Sequence, residues 1–394
     1  MNGERTAGSR GTATNADVTR INRTAILDAL AAGPLGRAEL VAATGLASAT
    51  VHRLCARMVD EGLLGVERDN GGIGRPTHRY RHLGEARTVV AVDVTSAVAR
   101  GALIDLGGQT RRTDVQSLQD AEGRLTASSR LEGVGVLADR LIRAAADLGS
   151  PAQGVGLSVP GVVGADGSVS DSVELEWNGL AARDLLQART GLPVVVENDA
   201  NAVTIGEWTR GAGQGTGDLA ALVFGIGVGA GIVSGDRLVR GAGAAAGEIG
   251  YLITDPQAFA APRATGGDLE TRVLSLGATG GAAASGAEAS GAEASTMVVL
   301  DDESAAGGER AERLLDHIAM SVAALSVILD CRVVILAGRL PRRTDRLVDG
   351  VARRLDGRIP RPPALVVGAL GEDAALVGIG QLIIDHVKGA VYLA

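Results

Sequence analysis

Cysteine is scarce in this 394-residue chain: Cys55 and Cys331 lie far apart, which excludes a disulfide framework. Near the start no basic region is followed by an apolar stretch, so a reduced cytoplasm is the expected compartment. Long apolar runs are missing too. Gly, Asp, Glu or Arg interrupts every hydrophobic stretch before the roughly 18 residues a membrane helix needs, so a soluble protein with no membrane partner is expected. Lysine occurs once, at Lys388, and not after glycine, which rules out the Gly-Lys of a P-loop. Apolar content, by contrast, is ample. At 46% hydrophobic residues and a mean hydropathy of +0.19, a chain of this length holds two or three domains with sizeable cores.

The net charge of -8 hides an asymmetry. Residues 1–87 carry 12 arginines against 9 acids, whereas the remainder carries 26 basic against 37 acidic residues. A mildly basic head therefore precedes an acidic body. His52, His78 and His82, three of the five histidines, also fall in the head and are expected to add charge below neutral pH.

Residues 1–17 have almost no apolar content and are expected to be a disordered tail. From Thr19 onward Ile21, Ile26, Leu27 and Leu30 recur at helical spacing until Gly33-Pro34, which predicts a first helix. Arg37 to Thr44 predicts a second, Gly45 a tight turn, and Ser48 an N-cap for a third helix reaching about Glu61. In that third helix Val51, Leu54, Cys55 and Met58 make an inward stripe, so Cys55 reads as core. Ala49, Thr50, Arg53 and Arg57 are left outside with His52 at the flank, a face that suits the major groove of double-stranded DNA. Two short strands, Leu63 to Arg68 and Thr77 to Arg81, bracket the Gly-rich tip Gly71-Gly72-Ile73-Gly74-Arg75-Pro76 and predict a wing. Arg75 would enter a minor groove while Arg68, Arg79 and Arg81 meet phosphates. The candidate DNA contacts are thus Ser48, Thr50, His52, Arg53, Arg57, Arg75 and Arg79, within a winged helix-turn-helix domain at 18–84.

The remainder, 85–394, alternates strand and helix. A hairpin is predicted from Thr88–Asp93 and Ala99–Leu106, helices at 131–148 and 180–190, and strands at 154–159 and 193–196. The strand at 193–196 delivers Glu197-Asn198-Asp199-Ala200-Asn201, where an amide and a potential general base meet the start of a helix. Residues 220–241 resemble a dinucleotide fingerprint only superficially, because position 230 is Ala and no helix follows. A glycine-rich hairpin whose amides approach a phosphate or ligand is the better expectation. Residues 277–295 repeat Ser-Gly-Ala-Glu-Ala and are expected to form a mobile loop. Helices at 311–329, 344–355 and 374–387 with strands at 332–337 and 364–367 complete a second α/β lobe.

Glu197 to Asn201, Gly225 to Gly231, and Arg240-Gly241 through Ala246-Gly247-Glu248-Ile249-Gly250 together resemble the ROK family of repressors, open reading frames and kinases. The resemblance spans nearly the whole chain, because the repressor branch of the family carries a winged helix-turn-helix ahead of the body. It implies an α/β, actin-like ATPase (ribonuclease H-like) fold with two lobes around a sugar cleft. It also implies that Asp199 matches the catalytic base, and that Asn198, Glu248 and Glu270 match residues bonding sugar hydroxyls.

Three departures qualify this. Where kinases of the family have Asp-x-Gly-Gly-Thr, this chain reads Asp93-Val94-Thr95-Ser96-Ala97, so side chains obstruct a phosphate cradle. Leu336-Ala337-Gly338-Arg339-Leu340 lacks the family's Gly-Gly near the nucleotide base. The histidine and cysteines of the family's zinc site are replaced, with Tyr251 at the histidine position and no cysteine in 260–270, so no zinc is expected. The ligand set becomes Asn198, Asp199, Glu248, Tyr251 and Glu270, with Asp199 a vestigial base. The resulting expectation is a repressor rather than an enzyme, without a cofactor, homodimeric or tetrameric, binding operator DNA and a sugar or sugar derivative. The alternatives are an ATP-dependent sugar kinase with an appended DNA-binding domain, and a regulator that has lost its ligand.

Overall fold

The computed structural model describes residues 15–30, 33–69, 77–225, 227–260, 267–277 and 296–391. Arg75 and the rest of the wing tip, and the repeats within 278–295, lie outside the described residues.

The head comprises α1 (Asn15–Ala29), β1 (Leu35–Gly36), α2 (Arg37–Thr44), α3 (Ser48–Asp60), β2 (Leu64–Asp69) and β3 (Thr77–His82). Helix α1 starts earlier than the apolar spacing indicates, so residues 15–17 are helical rather than part of a tail. Polar residues such as Asn and Asp suit a helix start, which apolar periodicity does not register. Ser48 is the first helical residue of α3 and not its cap. The Ala47 carbonyl accepts from Thr50 N (2.9 Å) and Val51 N (3.0 Å), which puts Ala47 at the cap position without a side-chain bond. Gly45 ends α2 at φ 69, a left-handed position glycine adopts at little cost. The strands pair in the order β1-β3-β2.

The first lobe of the body is a five-stranded sheet in the order β10-β7-β4-β5-β6, built from β4 (Thr88–Val94), β5 (Val98–Asp105), β6 (Thr110–Ser117), β7 (Ala152–Val159) and β10 (Val194–Asn198). Strand β4 carries the apolar run Val89–Val92 because both its faces are covered. Val90, Val92 and Val94 pack with α4 (Ala127–Asp147), and Val89 and Ala91 with α10 (Ala374–Val391). Strand β6 escapes sequence detection because Thr-Arg-Arg-Thr-Asp-Val-Gln-Ser lies at an exposed edge with no buried face to pattern it. Helix α4 begins at Ala127, ahead of its apolar stripe, where Thr126 and Ser129 form a reciprocal cap. A small hairpin, β8 (Val162–Val163) and β9 (Val169–Asp171), and α5 (Ala182–Thr190) complete the lobe.

The second lobe has the sheet order β12-β11-β13-β14, from β11 (Leu219–Phe224), β12 (Val228–Val233), β13 (Val333–Gly338) and β14 (Ala364–Val367). Ala220, Leu222 and Phe224 of β11 join a core with α8 (Ala305–Leu329), while Leu219, Ala221 and Val223 face α6 (Asp199–Arg210). Helices α7 (Asp268–Gly277) and α9 (Thr344–Leu355) flank α8. Helices α6 and α10 form the layer shared by the two lobes. A Cβ added at Gly206 would lie 2.2 Å from Ala374 O, and one at Gly378 would lie 1.8 Å from Ala202 O, so the two backbones touch where they cross.

Candidate functional site

On α3 the residues Ser48, Ala49, His52, Arg53 and Arg57 are exposed and Thr50 is half-buried, opposite the buried stripe of Val51, Leu54, Cys55 and Met58. Burial pushes the Cys55 thiol up to about 11, as befits a core residue. Arg57 Nε donates to Glu61 at 2.9 Å, and Glu61 also receives the buried Arg23 of α1. These bonds fix α1 against the end of α3 and hold Arg57 at the surface.

The wing cations behave differently from the expectation. Arg79 donates to Pro34 O from Nη2 (2.7 Å) and Nε (3.2 Å) and pairs with Glu39 at 3.3 Å, so it fastens β3 to the entry of α2. Arg81 pairs with Glu67 (3.2 Å) and Glu85 (2.6 Å). His82 is held below the ordinary histidine range by burial and by the nearby Lys388 of α10, and therefore gains charge less readily than a solvated histidine as pH falls. An arginine that satisfies a backbone carbonyl has the same sequence signature as one that awaits a phosphate.

In the body, Asn198 and Asp199 open α6 at the carboxyl end of β10. Asn198 caps the helix: its Oδ1 accepts from Asn201 N (3.0 Å), while its Nδ2 donates to Gly161 O (3.0 Å) and Asp199 Oδ1 (3.1 Å). Much of its amide is thus committed to shaping the loop. Asp199 Oδ1 also accepts from Ala200 N at 2.8 Å. Burial, and then the negative charges of Glu174, Asp93 and Glu248, push the Asp199 carboxyl up to about 8. Glu248 is raised by burial and by Glu270 and Asp171, and Glu270 by burial. Tyr251 sits at the rim, 57% exposed, its phenol raised by partial desolvation and by Asp171, Glu248 and Glu270. The structure therefore brings Asp199, Tyr251 and Glu270 within electrostatic reach of Glu248.

Sequence reasoning missed Asp171 and Glu174. Asp171 ends β9 and Glu174 follows it, and nothing in their local sequence places the one near Glu248 or the other near Asp199. It also missed Glu197, which is buried and accepts from Arg240 Nε (2.8 Å) and Nη2 (2.7 Å), Asn201 Nδ2 (3.0 Å) and its neighbour's backbone, Asn198 N (3.1 Å). Packing requires several glycines of the hairpin β11–β12. Added Cβ atoms at Gly229 and Gly231 would meet Ala200 Cβ (3.1 Å) and Thr204 Oγ1 (2.0 Å) of α6, and one at Gly227 would lie 1.9 Å from Glu270 Oε1. Gly227 leaves the room in which the Glu270 carboxylate sits.

Within electrostatic reach of Asp199, Asp93 accepts from Ser158 Oγ at 2.7 Å, and its carboxyl is raised by burial. The turn that follows is closed by Thr95, whose N (2.9 Å) and Oγ1 (3.1 Å) both donate to Val98 O, and Ser96 O accepts from Arg130 Nε at 3.0 Å. Thr95 and Ser96 thus carry side chains at the two positions where the resemblance leads one to expect glycines. Tyr251 offers no imidazole, and both cysteines are buried in hydrophobic cores, so the donor set does not fit a zinc ion.

Two α/β lobes that share a pair of crossed helices and face each other across a carboxylate-lined cleft define an actin-like ATPase fold, here preceded by a helix-turn-helix head. The chain belongs to the ROK family, whose model matches residues 89–386, and residues 24–68 match the IclR helix-turn-helix domain. It is 30% identical over 250 residues to the glucokinase of Halalkalibacterium halodurans, which covers 58% of this chain and 76% of that enzyme. It is 25% identical over 242 residues to the xylose repressor of Bacillus subtilis, which covers 60% of this chain and 62% of the repressor. Among solved structures, a ROK family transcriptional regulator described as a homolog of the E. coli MLC protein superposes with a TM-score of 0.76 at 19% identity, covering 95% of this chain and 99% of that one. At that identity the likeness is one of fold. No helix among the described residues is long and apolar enough to cross a membrane.

Proposed function

We propose that this chain is a DNA-binding transcriptional repressor whose operator affinity is set by a sugar or sugar derivative in the cleft, acting as a homodimer or tetramer and without catalysis. The observation that carries this reading is a pairing within one chain. A helix-turn-helix head with an exposed polar recognition face precedes a cleft that keeps the carboxylates of Asp199, Glu248 and Glu270 but replaces phosphate-cradling glycines with Thr95 and Ser96. Carboxylates suit a ligand with several hydroxyls, because each oxygen accepts a bond and fixes a direction. Ser48, Thr50, His52 and Arg53 of α3 would read the duplex, with Arg57 toward phosphate. A ligand that favours the lobe arrangement incompatible with DNA must lower operator affinity by the same differential free energy.

Sequencing genomic fragments captured by the full-length protein tests this. Enriched duplexes that are released by D-glucose or D-xylose support it, and absence of enrichment overturns it. A kinase reading is favoured by one specific observation, the Asp199 carboxyl near 8, because a group poised close to neutral pH suits general base work. Incubation with ATP, Mg²⁺ and the same sugars separates the two: turnover abolished by Asp199→Asn would establish the enzyme.

A further inference from the structure

Helix α6 starts in the cleft and ends beneath the DNA-binding head. Its first residue is Asp199 and its last is Arg210, so its 12 residues span about 18 Å. Arg210 Nη2 donates to Gly107 O at 3.0 Å and approaches Gln381 Oε1 of α10 at 3.5 Å. Gly107 and Gly108 form the turn between β5 and β6. A Cβ added at Gly108, whose φ is +82, would lie 1.8 Å from Arg210 Nη2, so the guanidinium lies directly on this turn.

The same turn receives the exit of the head. A Cβ added at Gly84 would lie 2.6 Å from Gly107 N, and Leu106 N donates to Gly84 O (3.1 Å) and Arg87 O (3.2 Å). Gly84 opens the short helical turn Gly84–Ala86, which occupies most of the connection between β3 and β4. One helix and one two-glycine turn therefore join Asp199 to the point where the head leaves the body.

Helix α6 is also mounted asymmetrically. Through Ala200 and Thr204 it lies against Gly229 and Gly231 of the second lobe, whereas the turn under Arg210 belongs to the first. Glu207, one helical turn before Arg210, is fully buried and accepts from Ala212 N (2.9 Å), Ala369 N (2.9 Å) and Leu370 N (2.8 Å), which pins the helix to loops of the second lobe. A displacement of the second lobe that carried α6 with it would shift the end of α6 against the turn that carries the head.

We infer that α6, acting through Arg210 on the Gly107-Gly108 turn, couples the cleft to the orientation of the DNA-binding head. Arg210 is a positioning residue that contacts neither ligand nor DNA. This rests on the regulator reading above and names its transmission element. Coupling is reciprocal, so it is testable from the DNA side with no effector in hand.

The full-length protein first selects duplexes from a random-sequence library. Amide hydrogen exchange is then measured with and without the selected duplex in wild type, Arg210→Ala and Arg210→Gln, the glutamine keeping part of the stem should alanine loosen the fold. The duplex should alter exchange both at 83–87 and at 199–206 in wild type, while the variants still bind it but lose about fivefold or more of the change at 199–206. Variants that keep the wild-type change, or a wild type that binds the duplex with none at 199–206, would overturn the coupling role. Failure to select any duplex would overturn the regulator reading itself.

Discussion

Arg240 directs both Nε and Nη2 onto one oxygen of the buried Glu197 carboxylate, at 2.8 and 2.7 Å, and so ties the segment after β12 in the second lobe to the strand that delivers Asn198 and Asp199. Glu197 keeps its remaining oxygen on Asn201 and the Asn198 amide, so a single carboxylate holds the cleft's floor and its far wall together.

Removing the cation leaves that carboxylate buried with too few partners. Arg240→Ala should destabilise the body by about 1–3 kcal/mol, the lower end reflecting that the guanidinium is half-exposed. Urea unfolding followed by tryptophan fluorescence checks this. A midpoint identical to wild type would show that the pair contributes nothing net.

The Asp199 carboxyl makes a prediction whose sign is fixed by linkage. An unfolded chain ionises aspartate near 3.9, as model peptides do, whereas the folded chain ionises Asp199 only near 8. Between those values the folded state holds the extra proton, so this residue lowers stability as pH rises from about 4 to 8. Asp199→Asn removes the penalty. Its melting temperature should exceed that of wild type at pH 8 and the gap should narrow at pH 5; a gap independent of pH would refute the assignment.

In the head the sign reverses. Burial alone would raise Glu61, but the bonds from Arg23 and Arg57 outweigh it and hold the carboxyl below its ordinary range. That stabilisation is present above the unfolded value of about 4.3 and is lost as pH falls through the folded one. Arg23→Ala should therefore cost about 2–4 kcal/mol at pH 7, given a wholly buried guanidinium, and less at an acid pH below the folded value of Glu61. Denaturation of the full chain at the two pH values, with the head followed by hydrogen exchange, decides it.

The limits of the sequence are physical ones. Strands β4 and β11 are legible because both faces are buried, which writes a continuous apolar run, and α3 because one face is buried, which writes a stripe. Asn198, Asp199 and Glu248 are legible because each belongs to a contiguous motif. Asp171 and Glu174 are not, since only the tertiary fold brings the end of β9 near Glu248 and Glu174, beyond it, near Asp199. The polar edge strand β6 carries no periodic signal at all.

Arg79 and Arg53 separate two roles that look alike in the sequence. Arg53 is exposed on α3, where the proposed reading has it meet DNA, whereas Arg79 spends its guanidinium on Pro34 O and Glu39. Arg53→Ala should weaken duplex binding while leaving the melting temperature unchanged, and if it contacts phosphate the slope of log affinity against log salt should fall by about 1. Arg79→Ala should instead cost the head about 1–2 kcal/mol, because it strips the partner from the Pro34 carbonyl and Glu39. Fluorescence anisotropy over a salt series, paired with thermal melting of each variant, distinguishes them. If Arg79→Ala weakened DNA binding with no loss of stability, its guanidinium would have to leave Pro34 for a phosphate in the complex, and the wing would be a moving part of the interface.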